Sequence, residues 1–321
     1  MGRLVDISWD PLGISLVAEL ADEVNPELCE DFWSNLPFTV LQDHPVVSGE
    51  SVYAWAPFIS TAAIRHWEPI NQAPVGRLRY SQATGNKFTV QYGKGLEPLS
   101  QPMLGTVQPE FLSLLPVMGR SVWESTFWSK QLIWVTVNRH GQSAKPSAQR
   151  TGGPDPARAF VDEALRIQTT EPEDIRTLRL GLVESAGSFG QYFTTWDFAN
   201  GMLRDYVMYT IYPLLRLCDR LEAAHVVEAL KAFDPPYSSF LGYVGLRTLE
   251  KFAGQLRSSV EHVASKDELR ALLKGFLLYA NRLCSWSYHY FPWYLGIFYQ
   301  RPAYDAGFPG RWPTGKAGPT R

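Results

Sequence analysis

Residues 86–107 read NKFTVQYGKGLEPLSQPMLGTV. The first half alternates: Phe88 and Val90 against Lys87, Thr89 and Gln91, the period-two pattern of a β-strand over 87–93. The preceding Ser81-Gln82-Ala83-Thr84-Gly85-Asn86 is rich in turn formers, so the strand pairs as a hairpin with residues 76–80. Beyond it, Gly95-Leu96-Glu97-Pro98 interrupts the strand, and Leu104-Gly105-Thr106-Val107 follows. Working outward, residues 4–9 and 14–20 alternate on either side of Asp10-Pro11-Leu12-Gly13, which predicts another hairpin. Asn25-Pro26-Glu27 reads as an N-cap with proline at the first helical position. Leu28, Cys29, Phe32, Trp33 and Leu36 then fall on one helical face, and Pro37 stops the helix. Further strands are expected at 38–41, 51–56 and 132–138, with a short helix after Pro109. About seven strands and two short helices within residues 1–138 predict a closed or nearly closed β-barrel.

The remainder has a different texture. Residues 139–159, RHGQSAKPSAQRTGGPDPARA, are rich in Gly, Pro and small polar residues and read as a linker or mobile loop. From 160 to 299 the apolar period is helical. Leu269, Leu272, Leu273, Phe276, Leu277 and Ala280 form a stripe behind the capping box Ser265-Lys266-Asp267-Glu268. Phe240, Val244, Leu249, Phe252, Leu256, Val260 and Val263 predict a second long helix. Ala224, Val227, Leu230 and Phe233 predict a shorter one, and residues 202–219 a third long one kinked at Pro213. Residues 300–321 form a Pro/Gly-rich tail carrying Tyr304, Phe308 and Trp312, an arm for a partner surface or a free end. Strands followed by helices make the chain α+β, with a barrel domain and a helical-bundle domain.

Composition narrows the function. The 321 residues carry a net charge of −2, without the basic excess of a nucleic-acid binder. Cys29, Cys218 and Cys284 are odd in number and far apart, which favours a reduced, cytoplasmic protein over a disulfide framework or zinc knuckle. No basic start runs into a long apolar core, and no stretch of 18 apolar residues occurs, so neither a signal peptide nor a membrane partner is expected. Dinucleotide, phosphate-loop, zincin and nucleophile-elbow motifs are missing, and His44, His66, His140, His225, His262 and His289 lack metal-ligand spacing. A cofactor-free reaction driven by the chain's own acids and bases, or a binding role, fits best. Aromatic residues reach 13%, a load that fills cores and also lines sites for flat ligands.

Tyr92-Gly93, Gly95-Leu96-Glu97-Pro98 and Leu104-Gly105-Thr106-Val107, with His44-Pro45-Val46-Val47-Ser48-Gly49-Glu50 upstream, occur in an order that resembles the cyclophilin-like barrel of cucumopine and mikimopine synthases. The helical half is similar to the C-terminal bundle of the same family, and bacterial β-carboline synthases share the layout. The resemblance implies a cofactor-independent Pictet–Spengler enzyme. An aromatic amino acid, tryptophan or alternatively histidine, condenses with an aldehyde or α-keto acid, and the ring closes on the iminium ion. Such chemistry needs a carboxylate to move protons, a cation to hold substrate carboxylates, and aromatic walls.

The resemblance makes Glu97 the carboxylate, aimed by its turn into the barrel mouth with a pKa raised by burial. Arg77 and Arg79 alternate on one strand face. They either clamp a substrate carboxylate or face solvent, and hairpin register decides which. Lys87 is a second cation candidate, at the hairpin where the β-carboline enzymes are expected to carry histidine. His44 is a candidate proton carrier, with Ser48 and Glu50 as candidate substrate contacts, or the three form a polar turn between strands; Tyr92 and Trp134 are candidate wall residues or, as strand aromatics, core. Residues 285–291, SWSYHYF, are a cap over the barrel mouth, a seam of a homodimer, or plain helix core. The non-catalytic alternative is a cyclophilin-like binding module.

Overall fold

The computed structural model describes residues 2–142, 155–183 and 194–293. The Pro/Gly-rich tail and most of the expected linker lie outside these residues. The first part comprises strands β1 (Leu4–Trp9) and β2 (Ile14–Leu20), helix α1 (Pro26–Ser34), and strands β3 (Phe38–Asp43), β4 (Gly49–Trp55), β5 (Trp67–Pro69), β6 (Arg77–Ser81), β7 (Lys87–Gly95) and β8 (Ser100–Val107). Helix α2 (Leu115–Glu124) and strand β9 (Trp134–Arg139) complete it. Antiparallel pairing runs β2-β1-β9-β3-β4-β7-β6-β8, and β8 returns to β2 through Ala18–Val107, Glu19–Thr106 and Leu20–Gly105. The barrel is therefore closed, which leaves no free edge. β5 is an appendage paired with β8.

Alternation puts Val52, Ala54, Leu78, Tyr80, Phe88 and Val90 inside the barrel with Val5, Ile7, Val135 and Val137, all buried. α1 joins this core: Phe32 meets the rings of Phe38, Phe58 and Phe88 edge-on at 5.6–6.1 Å. Strands β5 and β8 were not expected from the sequence, because Pro69, Pro98 and Pro102 break the apolar alternation there. Asn25 occupies the predicted N-cap position ahead of Pro26, and its carbonyl accepts from Cys29 N, but its side chain makes no capping bond to the helix. Its side chain bridges other backbone, accepting from Arg65 N and His66 N and donating to His66 O and Met103 O.

The helical part comprises α3 (Asp155–Arg166), α4 (Glu173–Arg179), α5 (Thr195–Asp205), α6 (Tyr212–Leu217), α7 (Ala223–Leu241), α8 (Arg247–Val260) and α9 (Lys266–Tyr290). The expected kink near Pro213 is a π-helical stretch, Tyr206–Ile211, between α5 and α6, where proline removes a helical donor. Phe240 and Val244 do not belong to the second long helix. α7 runs on through Pro235 and Pro236, and Gly245, at φ 92°, separates it from α8. Ser265 caps α9 by accepting from Glu268 N, whereas the Glu268 carboxylate accepts from Ala264 N, so the predicted reciprocal box is only half formed.

One face of the barrel is covered by these helices. Leu41, Tyr53 and Trp55 point outward yet are buried, and they belong to the helical core. α9 is bound across this wall by Arg282, which donates to the carbonyls of Trp55 and Ala56, and by Asn281, which donates to Ala56 O at 3.3 Å. At its C-terminal end His289 Nδ1 lies 2.9 Å from Asp43 Oδ1, both groups fully buried. Lys130, in the left-handed region at φ 56°, donates to the carbonyls of His289 and Phe291. Among the described residues no helix is long and apolar enough to cross a membrane.

Candidate active site

A cavity of about 510 Å³ opens between the outer wall of the barrel and the helices. Its floor follows from strand register. Tyr53 sits opposite Thr89, Arg79 opposite Thr89 on the other side, and Trp55 and Ser81 flank Lys87. Ser51, Tyr53, Arg79, Lys87 and Thr89 consequently share the outward face and line the cavity. The roof is Arg204 of α5, Met208 and Tyr209 of the π-helical stretch, Tyr288 of α9, and Trp293. Residues 45–48 and Glu97 close one side.

Arg79 is fully buried and has no carboxylate within ion-pair distance among the described residues. It donates to Gln91 Oε1 and, at 3.2 Å, to Ser51 Oγ. Gln91 Nε2 is committed to the carbonyls of Ala73 (2.7 Å) and Gly93 (3.1 Å), so its oxygen is left facing the guanidinium. Burial lowers the Arg79 pKa to about 10, which still leaves it cationic at neutral pH. A buried cation whose direct partners are neutral has charge to spare for an incoming anion.

Glu97 stands just past β7. Leu96 N donates to Ser48 O (3.1 Å) and Asn71 N to Glu97 O (3.0 Å), which fixes the turn. Gly95 allows the close approach: a Cβ there would lie 2.1 Å from Ile70 O. Ser48 Oγ donates to Glu97 Oε2 at 2.5 Å. Oε1 has no hydrogen bond among the described residues, which leaves it available to a ligand. Lys87 Nζ lies over the rings of Trp55 (4.6 Å), Tyr53 (4.9 Å) and Tyr288 (6.0 Å). Burial lowers its pKa to about 8, against the opposing pull of Cys284, Glu97 and Asp43.

The site thus lies on the side wall of the barrel rather than at its mouth. The five-residue loop 82–86 sets Arg79 opposite Thr89, so Arg79 points outward, away from Phe88 and Val90, yet the helices bury it. Arg77 shares that outward face but does not line the cavity. Glu68 (2.7 Å) and Thr106 hold it. Tyr92 and Trp134 do not line the cavity either. The Tyr92 ring packs on Gly119, where a Cβ would lie 2.4 Å from it, and Trp134 meets Trp286 edge-on at 6.2 Å in the helical core. Glu50 accepts from Lys94 N, away from the cavity. Residues 285–291 lie over the side wall and contribute Tyr288 to the roof. Ser51, Tyr53, Gln91, Arg204 and Trp293 were not singled out as site residues by the sequence reading, and Tyr288 only as part of the stretch 285–291. The alternation of Ser51, Tyr53 and Trp55 was the available signal for the first two.

His44 is outside the cavity as well. Its Nδ1 contacts Pro45 O and its Nε2 contacts Tyr92 Oη, each at 2.8 Å. A carbonyl only accepts, so Nδ1 donates, and in the neutral ring Nε2 accepts from the tyrosine. Burial lowers the pKa to about 4, well below the ordinary 6.5. The unfolded chain therefore binds a proton that the folded chain refuses between these values. The stability this neutral ring contributes is full above pH 6.5 and is lost as pH falls toward 4. Wild type should lose about 3 kcal/mol more than His44→Gln across that window, measured by urea unfolding at each pH; parallel curves would refute the assignment.

Comparison with known proteins places the chain. A family model described as the cucumopine synthase C-terminal helical bundle domain matches residues 157–290. A solved structure of McbB in complex with tryptophan is 33% identical, covers 92% of this chain and 99% of its own, and superposes with a TM-score of 0.84. The chain belongs to the cucumopine synthase family. No curated protein matches it. The family's barrel and bundle are therefore both present, and the cavity lies on the seam where they meet. Among the described residues no three His, Cys, Asp or Glu side chains cluster as a metal site would require.

Proposed function

We propose that this cucumopine synthase family member is a Pictet–Spengler enzyme that joins L-tryptophan to an aldehyde or α-keto acid, giving a β-carboline-type product without a cofactor. The observation that carries the reading is the pairing, in one aromatic-walled cavity, of Arg79, a buried cation, with Glu97, a carboxylate; among the described residues the first has no ion-pair partner and the second one oxygen without a hydrogen bond. The McbB structure with tryptophan supports the choice of amino acid.

In this reading Arg79 holds a substrate carboxylate, and Tyr53, Tyr288 and Trp293 enclose the ring and exclude water. The substrate amine condenses with the carbonyl carbon, water leaves, and an iminium ion forms. Glu97 stabilises that cation by its charge. The ring carbon then attacks the iminium carbon, and Glu97 takes the proton whose loss restores aromaticity. Ser48 holds one carboxylate oxygen, so the other is aimed at substrate. The match to the cucumopine synthase bundle favours histidine with an α-keto acid as the second reading.

The test is direct. Purified protein is mixed with L-tryptophan or L-histidine and glyoxylate, pyruvate, methylglyoxal or 2-oxoglutarate, and products are followed by mass spectrometry. A tryptophan-derived ring product above the uncatalysed rate supports the first reading, and a histidine-derived one supports the second. Product from no pair overturns both. Stabilisation by peptides and by no amino acid would instead indicate a binding module.

A further inference from the structure

Lys87 is the reactive side chain in the cavity for which the proton-transfer scheme has no task. It lines the same space as Glu97 and Arg79. Among the described residues its amine has neither a hydrogen bond nor an ion pair, and its surroundings on the floor and roof are the faces of Trp55, Tyr53 and Tyr288. A lysine kept for holding an anion would be served by a polar surrounding. A half-buried amine under an aromatic canopy, in one cavity with an acid whose charge it feels, has the setting of a lysine that attacks carbonyl carbon.

We propose that Lys87 forms a Schiff base with the carbonyl substrate and passes it to the amino acid by transimination. The inference rests on the condensation reading given above and adds a covalent step to it. The neutral amine of Lys87 bonds to the carbonyl carbon, and the carbonyl oxygen gains a proton to give a carbinolamine. The C–O bond breaks as that oxygen takes a second proton and leaves as water, which yields the protonated imine of Lys87. The amine of the amino acid then adds to the same carbon, a proton moves to the Lys87 nitrogen, and the C–N bond to Lys87 breaks. Lysine is regenerated and the substrate iminium remains. The balance is one carbonyl, one neutral amine and one proton giving one iminium ion and one water. Glu97, whose charge acts on Lys87, is placed to exchange the protons with water and substrate. Burial favours the neutral amine, so an appreciable fraction is nucleophilic near pH 8.

The experiment traps the intermediate and does not depend on turnover. Full-length protein is incubated at pH 8 with glyoxylate, pyruvate, methylglyoxal or 2-oxoglutarate and sodium cyanoborohydride, then digested for peptide mass spectrometry. The expected result is a reduced adduct on Lys87 at least tenfold above that on exposed Lys94, with at least one of the four compounds. Prior addition of the amino acid substrate should lower the adduct by discharging the imine. Lys87→Met and Lys87→Arg should lose the adduct and slow condensation alike, whereas a lysine that only supplied charge would be rescued by arginine. No enrichment at Lys87 with any of the four overturns the inference, whether or not the variants fold, because the wild-type chain carries the measurement. Ring product without adduct leaves the proposed function standing and removes this step. Adduct without ring product from any amino acid does the reverse.

Discussion

Glu97→Gln should lower the rate of ring-product formation by about 10²–10⁴-fold, the usual contribution of a positioned acid–base group. The loss should fall on kcat, with the KM for the amino acid changed little, because the amide has nearly the shape of the carboxyl and Ser48 Oγ can still donate to its oxygen. Two effects combine: glutamine cannot accept the ring proton, and it places no charge beside the cationic intermediate. Binding gives the control. Thermal stabilisation by the amino acid should survive the substitution, so a variant that binds and does not turn over identifies a chemical role. An equally active Glu97→Gln protein would remove the proposed base.

Arg79→Met should separate binding from folding. The apparent affinity for the amino acid should fall by about 100-fold or more, in line with removal of one partner of a desolvated charge pair. Lysine should not restore it, because a bidentate fork is replaced by a point charge. The unliganded variant should melt at the same temperature as wild type or higher. Arg79 is buried beside Gln91 and Ser51 with no carboxylate in ion-pair contact among the described residues, and the more distant Glu68 and Glu97 offset the desolvation of its charge only in part. Steady-state kinetics and melting curves on the same preparation test both halves. A large drop in Tm together with unchanged KM would show that Arg79 serves the fold alone.

Much of this architecture was legible in the chain. Strong alternation over residues 4–9, 14–20 and 87–93 marks strands whose inner faces fill the barrel, and the stripe of Leu269, Leu272, Leu273, Phe276 and Leu277 marks α9. What local pattern does not carry is which outward face another layer will cover. Arg77 and Arg79 are two residues apart on one strand, yet one pairs with Glu68 and the other is enclosed by helices more than a hundred residues away in sequence. Glu97, Arg79 and Lys87 were all named from the sequence and all border the cavity. His44, Tyr92, Trp134 and Arg77 were named and do not border it. Contacts both near and far in sequence hold them elsewhere: Pro45 O, Gly119, Trp286 and Glu68 respectively. The partners of the site residues, such as Gln91 for Arg79 and Tyr288 for Lys87, follow from pairing and docking and leave no motif.

The order in which the ribosome delivers these parts gives the seam a temporal meaning. The strands bearing the acid and both cations emerge first, and the segment bearing Tyr288 and Trp293 follows some two hundred residues later. Until that last long helix settles, Trp55 and Tyr53 lack their cover from Tyr288, and the ceiling over the reacting groups is missing Tyr288 and Trp293. An incomplete chain therefore owns every chemical ingredient of the chamber and still lacks the chamber itself.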